Sequence, residues 1–226
     1  MPCKLKVILT GASGLIGCAI ANEFQQSEIK IVLAGKNKKK LQDTYLNREK
    51  FGGYYFWSGD LSDDKACREL VAYAVQHMGG VDILINCAGV FNFFSPKDTT
   101  YSQMFDTLNI NLLAPIYLSH LVLPYLRASS CPIIINISSI AGSSSLPDSS
   151  CYAASKWGLN GFTYSFRAAL RKERIPICNI SPSQIETLSQ HSVSGISSLT
   201  PQDIAAAVML VLTHVKKTGS SIDLVL

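Results

Sequence analysis

The sequence predicts an α/β fold in which about seven parallel strands form one doubly wound sheet with helices on both faces. Three observations lead to this prediction. Short β-branched runs alternate with longer helical patterns along the chain. Several of the runs are continuously apolar over most of their length, as parallel strands buried on both faces are. A glycine-rich turn joins the first strand to the first helix, which is the usual place of a phosphate site in such sheets.

The elements follow one another in strand–helix order. The strand candidates are Leu5–Thr10, Ile29–Gly35, Gly53–Ser58, Val81–Asn86, Pro132–Ser138, Ile175–Ser181 and Ser221–Leu226. The helical candidates are Leu15–Gln26, Lys38–Glu49, Asp64–His77, Tyr101–Ala128, Ser149–Arg174 and Pro201–Val215. Thr200 suits the N-cap of the last helix and Pro201 its first position. The Ser-rich stretch from Pro182 to Leu199 is the most irregular, and it predicts a lid or binding loop.

Composition narrows the class of protein. A chain of 226 residues with 47% apolar and 16% charged residues suits one domain across residues 1–226. The net charge of +4 is small and scattered, so nucleic acid is not an expected partner. We see no secretory signal and no apolar run of about 18 residues, and we expect no membrane association. The seven scattered cysteines include no C-x-x-C pair, which indicates reduced thiols in a cytoplasmic protein without a metal site.

The first candidate site is the glycine turn after the first strand. Gly11, Gly14 and Gly17 permit a tight turn, close approach of the backbone to a pyrophosphate and close helix–strand packing. The following helix points its N-terminal amides at the phosphates. The alternative is a plain strand–turn–helix connection. The candidate nucleotide contacts of this turn are Thr10, Gly11, Ser13, Gly14, Leu15, Ile16 and Gly17.

The end of the second strand bears on the choice of nucleotide. An NAD site would place an acid here to bind the ribose hydroxyls, but the sequence has Lys36 where a 2′-phosphate would lie. Lysines at a helix start are unfavourable against the helix dipole, which argues against a merely solvated helix end. The sequence therefore favours NADP, with NAD as the alternative.

Two further strand ends carry candidate nucleotide contacts. Asp60 and Leu61 follow the third strand, where an adenine could rest, although Asp60 could equally be a turn residue. Asn86, Ala88 and Gly89 close the fourth strand, and Gly89 would let the backbone lie against the nucleotide. A simple turn explains Gly89 nearly as well.

The candidate catalytic residues lie on one helix and one strand end. Tyr152 and Lys156 are four residues apart in a helical pattern and so share a face. A cation at about 4 Å is worth about 4 kcal/mol in an effective dielectric of about 20, enough to lower a phenol pKa of about 10 toward neutrality. Ser139 follows an apolar strand at the carboxyl edge, where it could hold a substrate oxygen. Taken alone, each feature also fits an ordinary helix pair or turn.

Together these residues resemble the short-chain dehydrogenase/reductase family in its compact single-domain form, from Val7 to Leu226. The resemblance implies a three-layer Rossmann-type fold. It implies that Tyr152 is the general acid/base, that Lys156 lowers its pKa and binds the ribose, and that Ser139 polarises the carbonyl. Asn111 matches the helix asparagine of the family and would hold a proton-relay water. The nucleotide contacts that the resemblance adds to those above are Tyr152, Lys156, Pro182, Ile185 and Thr187.

The sequence departs from the family at several points. The glycines are spaced G-x-x-G-x-x-G, Cys87 replaces a second asparagine, and Ser183 replaces a glycine beside the nicotinamide. The loop after Thr187 is short, which puts the substrate and turnover rate in doubt. Apolar residues that could line a pocket are Phe91, Phe93, Phe94, Leu146 and Trp157.

The resemblance implies hydride transfer between NADP(H) and a small carbonyl or alcohol, in a homodimer or homotetramer. One alternative is a dinucleotide-binding sensor or interaction protein that has lost turnover, against which the full Asn/Ser/Tyr/Lys set argues. Another is epimerase or dehydratase chemistry, against which the lack of a substrate domain argues.

Overall fold

Seven parallel strands form a single sheet in the order β3-β2-β1-β4-β5-β6-β7. The computed structural model describes residues 4–26, 29–46, 53–91, 97–185 and 198–226. The strands are β1 (Leu5–Thr10), β2 (Ile29–Gly35), β3 (Tyr54–Ser58), β4 (Ile83–Asn86), β5 (Ile133–Ile137), β6 (Ile177–Ser181) and β7 (Leu224–Val225). The strand order reverses between β1 and β4, and in sheets of this kind ligands bind in the crevice at the carboxyl ends of the strands there.

Helices cover both faces of the sheet. They are α1 (Leu15–Glu23), α2 (Lys38–Thr44), α3 (Asp64–Met78), α4 (Tyr101–Leu108), α5 (Ala114–Arg127), α6 (Ser150–Ala169) and α7 (Pro201–Thr218). One core is built by apolar side chains of α1, α2 and α7 against the sheet. The second core lies on the opposite face under α3, α5 and α6. Because one core lies against each face of the sheet, the central strands are apolar on both faces.

The predicted fold class is confirmed. The observed strands and helices differ from the predicted ones mainly in the residues at which they begin and end. The last strand is shorter than predicted, and α6 ends at Ala169 rather than Arg174 because a short 3₁₀ turn follows. The second helix ends at Thr44, earlier than predicted, and its predicted end at Glu49 falls in residues 47–52, outside the described residues. Thr200 is the N-cap of α7, as predicted, and it forms a capping box with Asp203.

The predicted continuous helix Tyr101–Ala128 contains an irregular turn. A π-helical turn spans Asn109–Leu113, between α4 and α5. Pro115 accounts for it, because proline has no N–H to donate to the carbonyl of Asn111 four residues earlier and its ring would clash with that carbonyl. Wider turns of this kind occur frequently at functional sites. Here the turn falls at the predicted catalytic asparagine.

The same stretch, Tyr101–Arg127, is long and apolar enough to cross a membrane by length and composition, which the sequence analysis did not expect. Half of its most apolar window is buried inside the protein. Its buried side chains include Leu118, Val122 and Leu126, which belong to the core over α3. This burial is the pattern of a core helix.

Candidate active site

The glycine turn lies at the carboxyl end of β1 and leads directly into α1. Gly11 has φ +68°, and a Cβ atom there would lie 2.7 Å from the Cα of Ala88. A Cβ atom on Gly17 would lie 2.3 Å from the carbonyl oxygen of Gly11. Gly14 is exposed and is the N-cap of α1, and no side chain caps the helix there. The turn thus presents bare backbone and an uncapped helix N-terminus, the arrangement that binds phosphate.

Thr10 joins this turn to the end of β4 through hydrogen bonds. Its hydroxyl accepts hydrogen bonds from the backbone N–H groups of Cys87 and Ala88, each at 3.0 Å. Gly89 follows them at an exposed position. Asn86 is buried instead, and its Nδ2 donates to Oδ1 of Asn136 at 2.8 Å. The structure therefore brings Ala88 and Gly89 to the crevice and turns the Asn86 side chain into a buried polar network.

The remaining nucleotide candidates occupy varied positions around the crevice. Ser13 faces Gly35, where a Cβ atom would lie 3.1 Å from its Oγ. Leu15 is exposed at the start of α1, whereas Ile16 packs partly against the core. Leu61 is buried, and its carbonyl accepts from the Sγ of Cys67.

Lys36 and Asp60 form an ion pair that the sequence analysis did not foresee. The Nζ of Lys36 lies 2.6 Å from Oδ2 of Asp60, while Oδ1 of Asp60 accepts from the backbone N–H and the hydroxyl of Ser62. The bond to Asp60 raises the pKa of Lys36, and the pKa of the Asp60 carboxyl is lowered by Lys36 and Ser62 even though burial opposes this. The charge of Lys36 is therefore partly offset at the place predicted for a 2′-phosphate.

Tyr152 and Ser139 meet at the carboxyl edge of β5. Tyr152 lies in the first turn of α6, and the side chain of Ser139 lies close enough to its hydroxyl to affect its pKa. Burial raises the pKa of Tyr152, and Ser139 opposes that rise in part. The ring of Phe91 packs edge-on against the ring of Tyr152, with centroids 4.6 Å apart. A phenol that is largely sheltered from water and lies beside a serine hydroxyl suits proton transfer to a bound oxygen.

Lys156 lies one turn beyond Tyr152 and is buried. Its Nζ donates to the carbonyl oxygen of Ile137 at 2.9 Å and lies 5.6 Å from the centroid of the Tyr152 ring. Burial lowers the pKa of Lys156 to about 8. The expected lowering of the Tyr152 pKa by Lys156 is not found, because burial dominates and the ammonium faces a carbonyl and the ring.

The side chain of Asn111 is occupied by the backbone of the loop after β4. Its Oδ1 accepts from the N–H of Val90 at 2.8 Å, and its Nδ2 donates to the carbonyl of Val90 and to the hydroxyl of Ser155. A water-binding role through this side chain, as the resemblance implied, therefore does not match the geometry. The backbone carbonyl of Asn111 is the better water acceptor, because Pro115 cannot donate to it.

The remaining predicted residues are spread around this center. Pro182 accepts a backbone hydrogen bond from Ile140, which ties together the ends of β5 and β6. Ile185 forms an isolated bridge with Leu199. Leu146 is half-buried. Trp157 is 54% exposed and lies about 100° around α6 from Lys156, so it does not share the face that carries the catalytic candidates. Thr187, Phe93 and Phe94 lie outside the described residues.

The sequence analysis missed several polar residues that hold Asn111 and the segment around Ser139 in place, chiefly Ser138, Ser155 and Asn160. Asn160 could have been noticed, since it lies four residues after Lys156 on the same helix face. Among the described residues no group of three His, Cys, Asp or Glu side chains could hold a metal ion. The six described cysteines are all free thiols.

Comparison with known proteins gives a consistent result. Residues 5–195 match the short chain dehydrogenase family. An uncharacterised oxidoreductase of Staphylococcus aureus (strain USA300) is 32% identical over 213 residues, which cover 92% of this chain and 91% of that protein.

Solved structures agree with the family match. A metagenomic short-chain oxidoreductase in complex with NADP has a TM-score of 0.84 at 29% identity, covering 99% of this chain and 97% of its own. An apo enzyme from Clostridium thermocellum has a TM-score of 0.81 at 25% identity, covering 98% and 91%.

Proposed function

The chain belongs to the short-chain dehydrogenase family and is an NAD(P)H-dependent oxidoreductase acting on CH–OH or C=O groups, and we propose that it reduces a small carbonyl compound with NADPH. We further propose that Tyr152 is the proton donor. The observation that carries this proposal is the placement of the Ser139 side chain beside the Tyr152 hydroxyl, with the Nζ of Lys156 5.6 Å from the centroid of the Tyr152 ring.

The residues present fit a dinucleotide. The uncapped N-terminus of α1 and the bare backbone at Gly11 and Gly14 offer amides to a pyrophosphate. Lys156 would hold the nicotinamide ribose, and Lys36 would meet a 2′-phosphate. When bound, the reduced nicotinamide supplies a hydride to the carbonyl carbon of the substrate.

The protein's own groups manage the proton and the developing charge. The raised pKa of Tyr152 keeps its hydroxyl protonated at neutral pH, which suits a donor to the oxygen of a carbonyl under reduction. The Ser139 hydroxyl, which lies beside Tyr152, stabilises negative charge on the same oxygen. The ammonium of Lys156 adds a positive charge beneath the phenol. Phe91 covers one side of the Tyr152 ring and limits access of water.

A substrate panel with a matched pair of variants tests this function. Ketones, 3-oxoacyl thioesters and quinones would be screened with NADPH and with NADH. Tyr152→Phe should keep the fold and nucleotide binding but lose about 10²–10⁴-fold in turnover. Tyr164→Phe removes a hydroxyl from an exposed tyrosine on the same helix and should behave like wild type. Near wild-type turnover by Tyr152→Phe would contradict the mechanism and favour a binding or sensing role.

The preference for NADPH is a separate part of the proposal. It is supported by Lys36 at the end of β2 and by the absence of an acid at that place in the sequence. We expect NADPH to bind at least about tenfold more tightly than NADH, which requires about 1.4 kcal/mol. Calorimetric titration should show this ratio fall in Lys36→Ala but persist in Lys39→Ala, a neighbouring exposed lysine. Equal affinities in the wild type would rule out the preference.

We also propose that the protein is a cytoplasmic homodimer or homotetramer that binds neither membrane nor nucleic acid. Apolar side chains exposed along α4, the π turn and α6 support self-association; they are Tyr101, Phe105, Leu113, Trp157 and Tyr164. Light scattering after size-exclusion chromatography should give a mass of two or four chains. A monomer at micromolar concentration would contradict this assembly.

A further inference from the structure

One face of α6 carries a line of polar side chains that reaches from the catalytic candidates into the core. Tyr152, Lys156, Asn160 and Thr163 are spaced by four, four and three residues, so they lie above one another on the helix. Each contacts β5 or the residues just after it. Tyr152 lies beside Ser139, and Lys156 donates to the carbonyl of Ile137.

The two deeper members continue this pairing. The Thr163 hydroxyl accepts from Nδ2 of Asn136 at 2.9 Å. Asn160 accepts from the Ser138 hydroxyl at 2.7 Å and from Nδ2 of Asn179 at 3.0 Å, both on Oδ1. In helix order the neighbours on this side are Ser139, Ile137, Ser138 and Asn136, so the line of polar side chains follows the end of β5. The contacts set the register of α6 against β5.

Asn160 makes hydrogen bonds on both sides of Ser139. It contacts Ser138 before the serine, and its Nδ2 donates to the carbonyl of Gly142, after the serine, at 3.1 Å. Ser139 is the N-cap of the short 3₁₀ turn Ile140–Gly142, so Ser138 precedes the cap and Gly142 ends the turn. One buried amide therefore holds the segment on both sides of the serine.

The packing at this contact leaves little freedom. Asn160 is 8% exposed and Ser138 is 4% exposed. A Cβ atom on Gly142 would lie 2.5 Å from Nδ2 of Asn160 and 2.9 Å from the carbonyl oxygen of Lys156. Only glycine lets the turn approach the helix this closely. A residue lacking the amide would leave the Gly142 carbonyl and the Ser138 hydroxyl without these partners, and the turn would shift to find others.

We propose that Asn160 is a positioning residue, which holds Ser139 in register with Tyr152 by fastening Ser138 and Gly142 to α6. The proposal rests on the proposed function, because the geometry it protects is the one that transfers the proton. Misplacing reacting groups by about 1 Å lowers turnover by about 10²-fold. Displacing Ser139 also removes the influence that opposes the raised pKa of Tyr152.

The test compares Asn160→Leu, which replaces the amide with an apolar side chain of similar size, with Ser119→Ala. Ser119 is also fully buried, and its hydroxyl donates only within α5, to the carbonyl of Pro115 at 2.6 Å. Turnover, KM, nucleotide affinity and thermal stability would be measured for both. The pKa of Tyr152 would be obtained from the tyrosinate absorbance difference between each protein and its Tyr152→Phe counterpart.

We expect Asn160→Leu to lower turnover about 10- to 100-fold and to raise the pKa of Tyr152, with nucleotide affinity within about threefold of wild type. Ser119→Ala should lose stability without either change. If Asn160→Leu does not fold, Ser138→Ala, which removes one hydroxyl from the same contact, should show the same two effects more weakly. Unchanged turnover and an unchanged Tyr152 pKa in a folded variant would overturn the proposal.

The Tyr152 titration separates this inference from the proposed function. A wild-type protein that reduces no carbonyl would refute the proposed reaction, yet the effect of Asn160 on the Tyr152 pKa would remain measurable. Carbonyl reduction that survives in Asn160→Leu with an unaltered titration would refute the positioning role alone.

Discussion

The buried ammonium of Lys156 should destabilise the nucleotide-free protein, and methionine at that position should remove the effect. Lys156 is 5% exposed, and its Nζ has a neutral partner, the carbonyl of Ile137. The ion pairs of the described residues do not include it. Methionine is unbranched and of similar length, so Lys156→Met tests the charge with little change of packing.

The magnitude follows from the pKa of Lys156, which burial lowers from its ordinary 10.5 to about 8. At about 1.36 kcal/mol per pKa unit, this shift corresponds to about 3 kcal/mol. Between pH 8 and 10.5 the folded protein binds fewer protons at Lys156 than the unfolded chain, so stability rises with pH in that window. The destabilisation is full below pH 8 and is gone above 10.5.

Urea denaturation between pH 6.5 and 10.5 measures this effect. The free energy of unfolding of the wild type should rise by about 3 kcal/mol relative to Lys156→Met across the window. Contributions from the other titrating groups are common to both proteins and cancel in the difference. The variant also loses the hydrogen bond to Ile137. This loss offsets its gain in the free energy of unfolding below pH 8, but it does not change how that free energy varies with pH. Parallel curves for the two proteins would refute the assigned burial and pKa of Lys156.

Three further changes have distinct expected outcomes. Gly11→Ala should lower the free energy of unfolding by about 2–4 kcal/mol, because Gly11 has a positive φ and a Cβ atom there would contact the backbone of Ala88. Gly161→Ala, on the open side of α6, should instead raise it by about 0.5–1 kcal/mol. Equal effects would contradict this geometry. Asp60→Asn should raise the ratio of NADH to NADPH dissociation constants about tenfold, since the charge opposing Lys36 is removed; a falling ratio would mean that Asp60 orients Lys36 instead. Thr200→Ala should cost about 1 kcal/mol by loss of the capping box, and unchanged stability would show that the cap contributes nothing.

The sheet was predictable because its strands are buried on both faces. Runs such as Val7–Leu9 and Ile133–Ile135 are apolar throughout and fully buried, which leaves few other assignments. The interruption at Asn109–Leu113 was not predicted, since apolar periodicity continues through it. Pro115 was the available signal, and a proline inside a predicted helix is a reason to expect a disturbed turn before it.

The candidate catalytic residues could be found from spacing, but their electrostatic state could not. Tyr152 and Lys156 share a face by helical geometry alone. Whether Lys156 points at the phenol oxygen or at a carbonyl depends on the end of β5, which is 19 residues away in sequence. The pair of Lys36 and Asp60 is likewise set by the side-by-side alignment of β2 and β3. Such contacts follow from tertiary structure, which local patterns do not contain.

Burial explains the chemistry of the site in a way that spacing did not suggest. It raises the pKa of Tyr152 and lowers that of Lys156, so both groups move toward their neutral forms. A phenol that stays protonated is ready to donate, which favours reduction of a carbonyl at neutral pH. Lys156 remains mostly charged below pH 8, and its positive charge would then favour the phenolate that the proposed proton donation leaves. The contacts of α6 with β5 keep both side chains buried, so the destabilising burial of Lys156 and the protonated state of Tyr152 have one structural cause.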